Sequence, residues 1–131
     1  MPWQDLALGL AGTIGAVVAI MHGVIVQRLM VAPLSRRAEA SPPFSSTVRR
    51  LISPLLHFST AVWFAGGIAL IFATSLDSQA RLWVGFLVGG TYLFGAIGNF
   101  WATGGRHPVW MLMALALVLI AVGAIAPLRH V

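Results

Sequence analysis

The chain contains no cysteine and no lysine. Without cysteine there is no disulfide, no thiolate metal site and no cysteine nucleophile. Without lysine, a Schiff-base cofactor such as retinal has no point of attachment. Charge is scarce as well: eight arginines and three acids make up 8% of 131 residues, against roughly 25% in a soluble domain. So few charges do not cover a water-facing surface, which excludes an ordinary cytosolic enzyme. The net charge of +5 is not gathered into a groove with aromatic partners, so no nucleic-acid partner is expected. No carboxylate falls within an apolar stretch. Asp5 and Asp77 stand at the edges of such stretches and Glu39 lies in a polar segment. Proton-coupled transport on a buried acid is therefore disfavoured. No Ser-His-Asp set or carboxylate pair converges, so no catalytic residue is assigned and enzymatic activity is not expected.

What is there is apolar: 59% of the residues are hydrophobic. A spanning helix needs about 20 mostly apolar residues, and four stretches qualify, about 6–31, 51–75, 82–102 and 109–126. They predict an all-α fold: one domain over residues 1–131, a polytopic membrane protein built as an antiparallel bundle of four transmembrane helices. The Met1-Pro2-Trp3-Gln4-Asp5 start lacks the basic residues of a cleaved signal peptide, so the first stretch is expected to remain as a span. Ala32 to Val48, with three prolines and several serines, reads as the one sizeable loop. Two starts are open for the second helix. Ser53-Pro54 fits a cap followed by a first-turn proline, and a start near Ser46 would put Pro54 inside the helix. Gly104-Gly105 suits a helix C-terminus, His107-Pro108 the next start, and Asp77 an N-cap with Arg81 snorkelling beside it.

Arginine sets the orientation. Arg28, Arg36, Arg37, Arg49, Arg50 and Arg106 fall on one side of such a bundle, Arg81 and Arg129 on the other. The positive-inside rule then places the first and third loops in the cytoplasm and both termini outside, periplasmic for a bacterial inner-membrane protein. Arg36, Arg37, Arg49 and Arg50 form a basic surface for anionic headgroups or an acidic partner. Small residues at four-residue steps mark packing faces: Ala11, Gly15, Ala19 and Gly23 in the first helix, Ala61, Ala65, Ala69 and Ala73 in the second, Gly85 and Gly89 and also Thr91, Gly95 and Asn99 in the third. The fourth has nothing polar between Val109 and Ala126; the first three are expected to pack tightly and the fourth to be the most lipid-exposed. Trp3, Trp83, Trp101 and Trp110 fit an aromatic belt, and Trp63 reads as packing.

The polar residues inside the spans gather towards the Arg-rich side. His22 lies about 9 Å from Arg28 along its helix and His57 about 10 Å from Arg50, at 1.5 Å per residue. The two imidazoles thus reach similar depth, in one layer with Gln27, Ser59, Thr60 and Asn99. Three readings are open. Each histidine bonds a neighbouring helix through Asn99, Ser59 or a carbonyl, as interhelical glue. Alternatively His22 and His57 ligate a haem b iron from both sides, with Arg28, Arg50 and Arg106 towards the propionates. Thirdly, Met21, His22, Met30, Met111 and Met113 supply the soft donors that suit Cu(I), although they do not converge clearly on one point, and no metal ligand is assigned.

The segment His57-Phe58-Ser59-Thr60-Ala61-Val62-Trp63-Phe64-Ala65-Gly66-Gly67 resembles one helix of two membrane families, the haem-associated oxygen-independent protoporphyrinogen oxidase type and the copper-resistance D type. The resemblance implies a ligand role for His57 and says nothing of His22. The function expected is that of a small non-enzymatic accessory or structural subunit, in a larger membrane complex or a homo-oligomer. A haem b protein and a small channel or transporter, the latter for a soft metal ion, are the alternatives.

Overall fold

The computed structural model of the protein describes residues 2–40 and 45–124. They are helical almost throughout, with no strand among the described residues. Helix α1 runs Pro2–Val26, a π-helical turn follows over Gln27–Val31, and α2 continues over Ala32–Ala40. The later helices are α3, Ser46–Ala73, α4, Ser78–Thr103, and α5, Val109–Ala124. The first three elements form one unbroken rod, and the whole is an all-helical bundle.

Local chemistry explains the boundaries. Ser45 caps α3, its side chain accepting from the Val48 N–H at 3.3 Å, so the helix starts at Ser46 and carries Pro54 inside it. Asp77 caps α4 as expected, accepting from Gln79 at 2.9 Å and Ala80 at 3.0 Å. Gly104 and Gly105 end α4 with φ of 58° and 74°, the left-handed region that glycine enters without steric cost. Val109 N–H donates to His107 Nδ1 at the start of α5. Trp110 Nε1 donates to Gly105 O at 3.1 Å and packs edge-on against Phe100, which closes the α4–α5 hairpin.

The expected loop over Ala32 to Val48 is corrected. Its first half is α2 and its last residues belong to α3, and Pro42 and Pro43 lie outside the described residues. Pro33 reads as a breaker because it has no N–H and its ring crowds the carbonyl four residues back. The π-turn immediately before it widens the helix there, with the Ala32 N–H donating to Gln27 O, and the rod continues.

α1 and α3 touch through backbone. A Cβ on Gly12 would stand 2.5 Å from Gly67 O, and one on Gly67 would stand 2.6 Å from Gly12 O. Tyr92 of α4 is fully buried beside Gly15, whose missing side chain leaves room for the ring, and its hydroxyl donates to Trp63 O at 3.2 Å. The Ala11, Gly15, Ala19 row of α1 faces inward as expected. The α3 alanine row does so only in its second half: Ala69 packs against the core and Ala73 is buried, while Ala61 and Ala65 face outward and Trp63, Gly66, Gly67 and Leu70 are buried at their level. α5 is corrected too. It buries Val109, Met113, Ala116, Ile120, Gly123 and Ala124 against α1 and α4, because Gly85 of α4 makes room for Ala124 and Gly123 makes room for Leu8 of α1.

Three helices are long and apolar enough to cross a membrane: the rod containing α1, then α3 and α4. α5, with sixteen residues, is shorter. The outer surface agrees with insertion. Phe94 is 80% exposed, Trp101 85% and Phe86 72%, contiguous apolar exposure that water does not tolerate on a soluble monomer.

Candidate functional site

The intramembrane polar residues meet between α1, the π-turn and α3. Since α3 starts at Ser46, His57 stands three turns into the helix rather than in its first turn. His22 Nε2 lies 3.2 Å from Ser59 Oγ, and His57 Nε2 lies 2.9 Å from Gln27 Oε1. With the carboxamide oxygen of Gln27 facing the ring, His57 Nε2 donates. The two bonds run in opposite senses across one helix pair: histidine of the first rod to serine of α3, then histidine of α3 to glutamine of the first rod. Trp63 closes the deep side, its ring 4.6 Å from that of His22 at a tilt of 53°. Gly95 of α4 makes room for the indole, since a Cβ there would stand 2.5 Å from Trp63 Cζ2.

The π-turn places Gln27. It opens at that residue, and π-turns inside α-helices often mark functional positions. In this one the widened turn brings the carboxamide to His57 while relieving Pro33.

The rest of the expected layer is divided. Thr60 packs against Gly23, where a Cβ would be 2.9 Å from its Cγ2, and its Oγ1 is buried without a hydrogen-bond partner. Asn99 does not reach either histidine. Its Nδ2 donates to Gly95 O at 2.8 Å in its own helix, and Thr103 Oγ1 donates to Asn99 O. The sulfur residues do not gather: Met113 is fully buried in the core, while Met21, Met30 and Met111 face outward. Among the described residues no group of three or more His, Cys, Asp or Glu side chains stands together.

Axial ligation of haem needs an imidazole nitrogen with its lone pair free and room for a planar macrocycle. Here both Nε2 atoms are engaged across the helix pair, and Gly23 and Thr60 are in contact beside them. These contacts draw α1 and α3 together at this level.

Of the basic surface, Arg36 turns back to Ala32 O of its own helix at 3.2 Å. Arg37, Arg49 and Arg50 are exposed. Arg49 and Arg50 share a cleft of about 320 Å³ with Ser35, Glu39 and Ser46. Sequence reasoning named the two arginines but not the other three residues, which the helical form of α2 brings alongside α3. It also missed the contact at the opposite end, where Arg81 Nη2 lies 2.7 Å from Asp5 Oδ1 and donates to Thr74 O at 2.9 Å. The Arg81–Asp5 contact is a close ion pair whose angles fall short of a hydrogen bond. The arginine side chain is only 13% exposed, so it ties α1 to α4 rather than snorkelling freely. Opposite charges in the first turns of α1 and α4, two helices that run in the same direction in an alternating bundle, were the available signal. Compared with protein-family models, curated proteins and solved structures, the chain matches none of them, and the likeness noted above rests on the His57–Gly67 segment alone.

Proposed function

We propose that the protein is a small polytopic membrane subunit with no catalysis of its own, acting as an accessory or structural element in a membrane assembly or with copies of itself. The observation that carries this reading is the use made of the intramembrane polar side chains. His22, Ser59, Gln27 and His57 satisfy one another in pairs between two helices, and Tyr92 bonds the Trp63 carbonyl. Such bonds hold helices in register and contribute about 0.6–1.7 kcal/mol each in a membrane. In this reading all four rods insert, with α5 packed at the depth of its neighbours. The end holding Arg28, Arg36, Arg37, Arg49, Arg50 and Arg106 faces the cytoplasm under the positive-inside rule, at a bacterial inner membrane.

The test is purification from native membranes in a mild detergent, with mass measurement and an optical spectrum. The expected result is a particle larger than the 13.9 kDa chain, holding a second copy or a stoichiometric partner, with no haem bands. His22→Ala and His57→Ala should lower thermal stability and leave the association intact. A monomer that turns over a substrate or carries a solute in liposomes would sink the proposal. A Soret band lost in either variant would replace it with the bis-histidine haem reading.

A further inference from the structure

The cleft between α2 and the first turn of α3 is lined by groups of both charge signs. Arg49 and Arg50 stand with Ser46 on the α3 wall, and Glu39 with Ser35 on the α2 wall. Neither arginine pairs with the glutamate: among the described residues the ion pair is Arg81 with Asp5, at the far end of the bundle. Opposite charges that share a cleft without meeting fit a ligand that itself carries both signs.

Depth in the membrane says which ligand. The 25 residues of α1 extend about 37 Å at 1.5 Å per residue, more than the roughly 30 Å of a hydrocarbon core. α2 therefore falls in the headgroup layer, and the Ser46–Arg50 turn lies just above the apolar run that begins at Leu51. The flanks are apolar and outward-facing: Leu29 and Leu34 on the first rod, Leu51 and Leu55 on α3. A polar cleft above exposed aliphatic side chains matches an amphiphile and not a free ion. Its volume stands at the low end of small-ligand pockets, about 300–1,000 Å³, enough for a headgroup but not for acyl chains.

We infer that this cleft binds the headgroup of an aminophospholipid, the phosphate on Arg49, Arg50 and the two serine hydroxyls, the ammonium on Glu39. Guanidinium takes phosphate oxygens through paired, charge-assisted bonds. A carboxylate opposite the arginines rewards an ammonium and repels a purely anionic headgroup, so the site prefers phosphatidylethanolamine to phosphatidylglycerol although the surrounding surface is basic. The inference rests on the membrane reading above and adds a lipid class to it.

The experiment is native mass spectrometry of the full chain released from micelles, titrated with phosphatidylethanolamine or phosphatidylglycerol. The wild type should retain phosphatidylethanolamine roughly tenfold better, the scale of one charge-assisted bond. Glu39→Gln should abolish that preference by raising phosphatidylglycerol binding, Arg49→Ala with Arg50→Ala should weaken both lipids about tenfold or more, and Arg106→Ala, in the α4–α5 turn, should change neither. Equal retention by the wild type, or a loss for Arg106→Ala matching that of the double variant, overturns the inference. So does equal competition by soluble glycerophosphoethanolamine, which would make the ligand a free phosphate ester. Lipid retention is read on the isolated chain and partner association on native membranes, so either reading can fail while the other stands.

Discussion

Asp77 shows how much of this fold depends on single polar side chains at helix ends. Its carboxylate accepts from two backbone N–H groups that have no partner inside α4. The Ala80 and Gln79 N–H groups hold its carboxyl below the ordinary value of 3.8. A carboxyl depressed in the folded state contributes stability that is fully present above the ordinary value. That contribution is lost as pH falls through the lower, folded-state value. The amides of Gln79 and Ala80 should thus keep their hydrogen-exchange protection at neutral pH and lose it selectively as the pH is taken below about 4. Asp77→Asn, whose side-chain oxygen still accepts, should show protection with no such pH dependence. An equal loss in Asp77→Asn would mean that the cap is not the titrating element.

Among the elements, α1 and α3 cross with backbone against backbone, and Gly12 and Gly67 make the contact. Each would direct its Cβ at the other's carbonyl oxygen, and backbone gives way far less easily than a side-chain tip. Gly67→Ala should force the helices apart and destabilise the bundle by about 1–3 kcal/mol, the ordinary cost of overpacking. Gly98→Ala, on an α4 surface with nothing within 4 Å, should be neutral or gain up to about 1 kcal/mol of helix propensity. Thermal unfolding in one detergent compares the two, and equal midpoints would contradict the close-packed crossing. This contact also marks what was legible beforehand. Four-residue spacing pointed to the buried row of α1, and the caps and the α4–α5 hairpin were readable from Asp77 and Gly104-Gly105. Spacing alone does not fix helix rotation. On α3 only Ala61 and Ala65 of the alanine row lost to the face carrying Trp63 and Leu70, because burying those side chains removes far more apolar surface. The same rotation decides the polar layer: its depth was visible in the sequence and Ser59 was one of the partners open to a histidine, but not that Gln27, rather than Asn99, would be the other. α2 was hidden because Pro33 signals a break, and the π-turn that accommodates it has no simple sequence signature.

At the scale of the whole molecule, polar ties stand towards both ends of an apolar bundle, besides the Tyr92 bond to Trp63 O between α4 and α3. The Asp5–Arg81 ion pair joins α1 to α4 at one end. The two histidine bonds join the first rod to α3 towards the other, the end that also carries the α2–α3 cleft and the Arg106 turn. This polarity makes orientation testable, and the absence of cysteine provides a clean background. Single variants Ser35→Cys and Gly105→Cys would be compared with Ser78→Cys and Val131→Cys, using a thiol reagent that does not cross intact membranes. Insertion of all four rods puts the first two sites on one face and the last two on the other, and the arginine bias makes the first face cytoplasmic. Ser78→Cys should label in intact cells, and Ser35→Cys only after the membrane is opened. The Val131→Cys site decides the fourth span. Labelling together with Gly105→Cys would mean that the chain packs against α1 and α4 through α5 without crossing to the far face. Labelling together with Ser78→Cys would mean that packing against α1 and α4 carries α5 across.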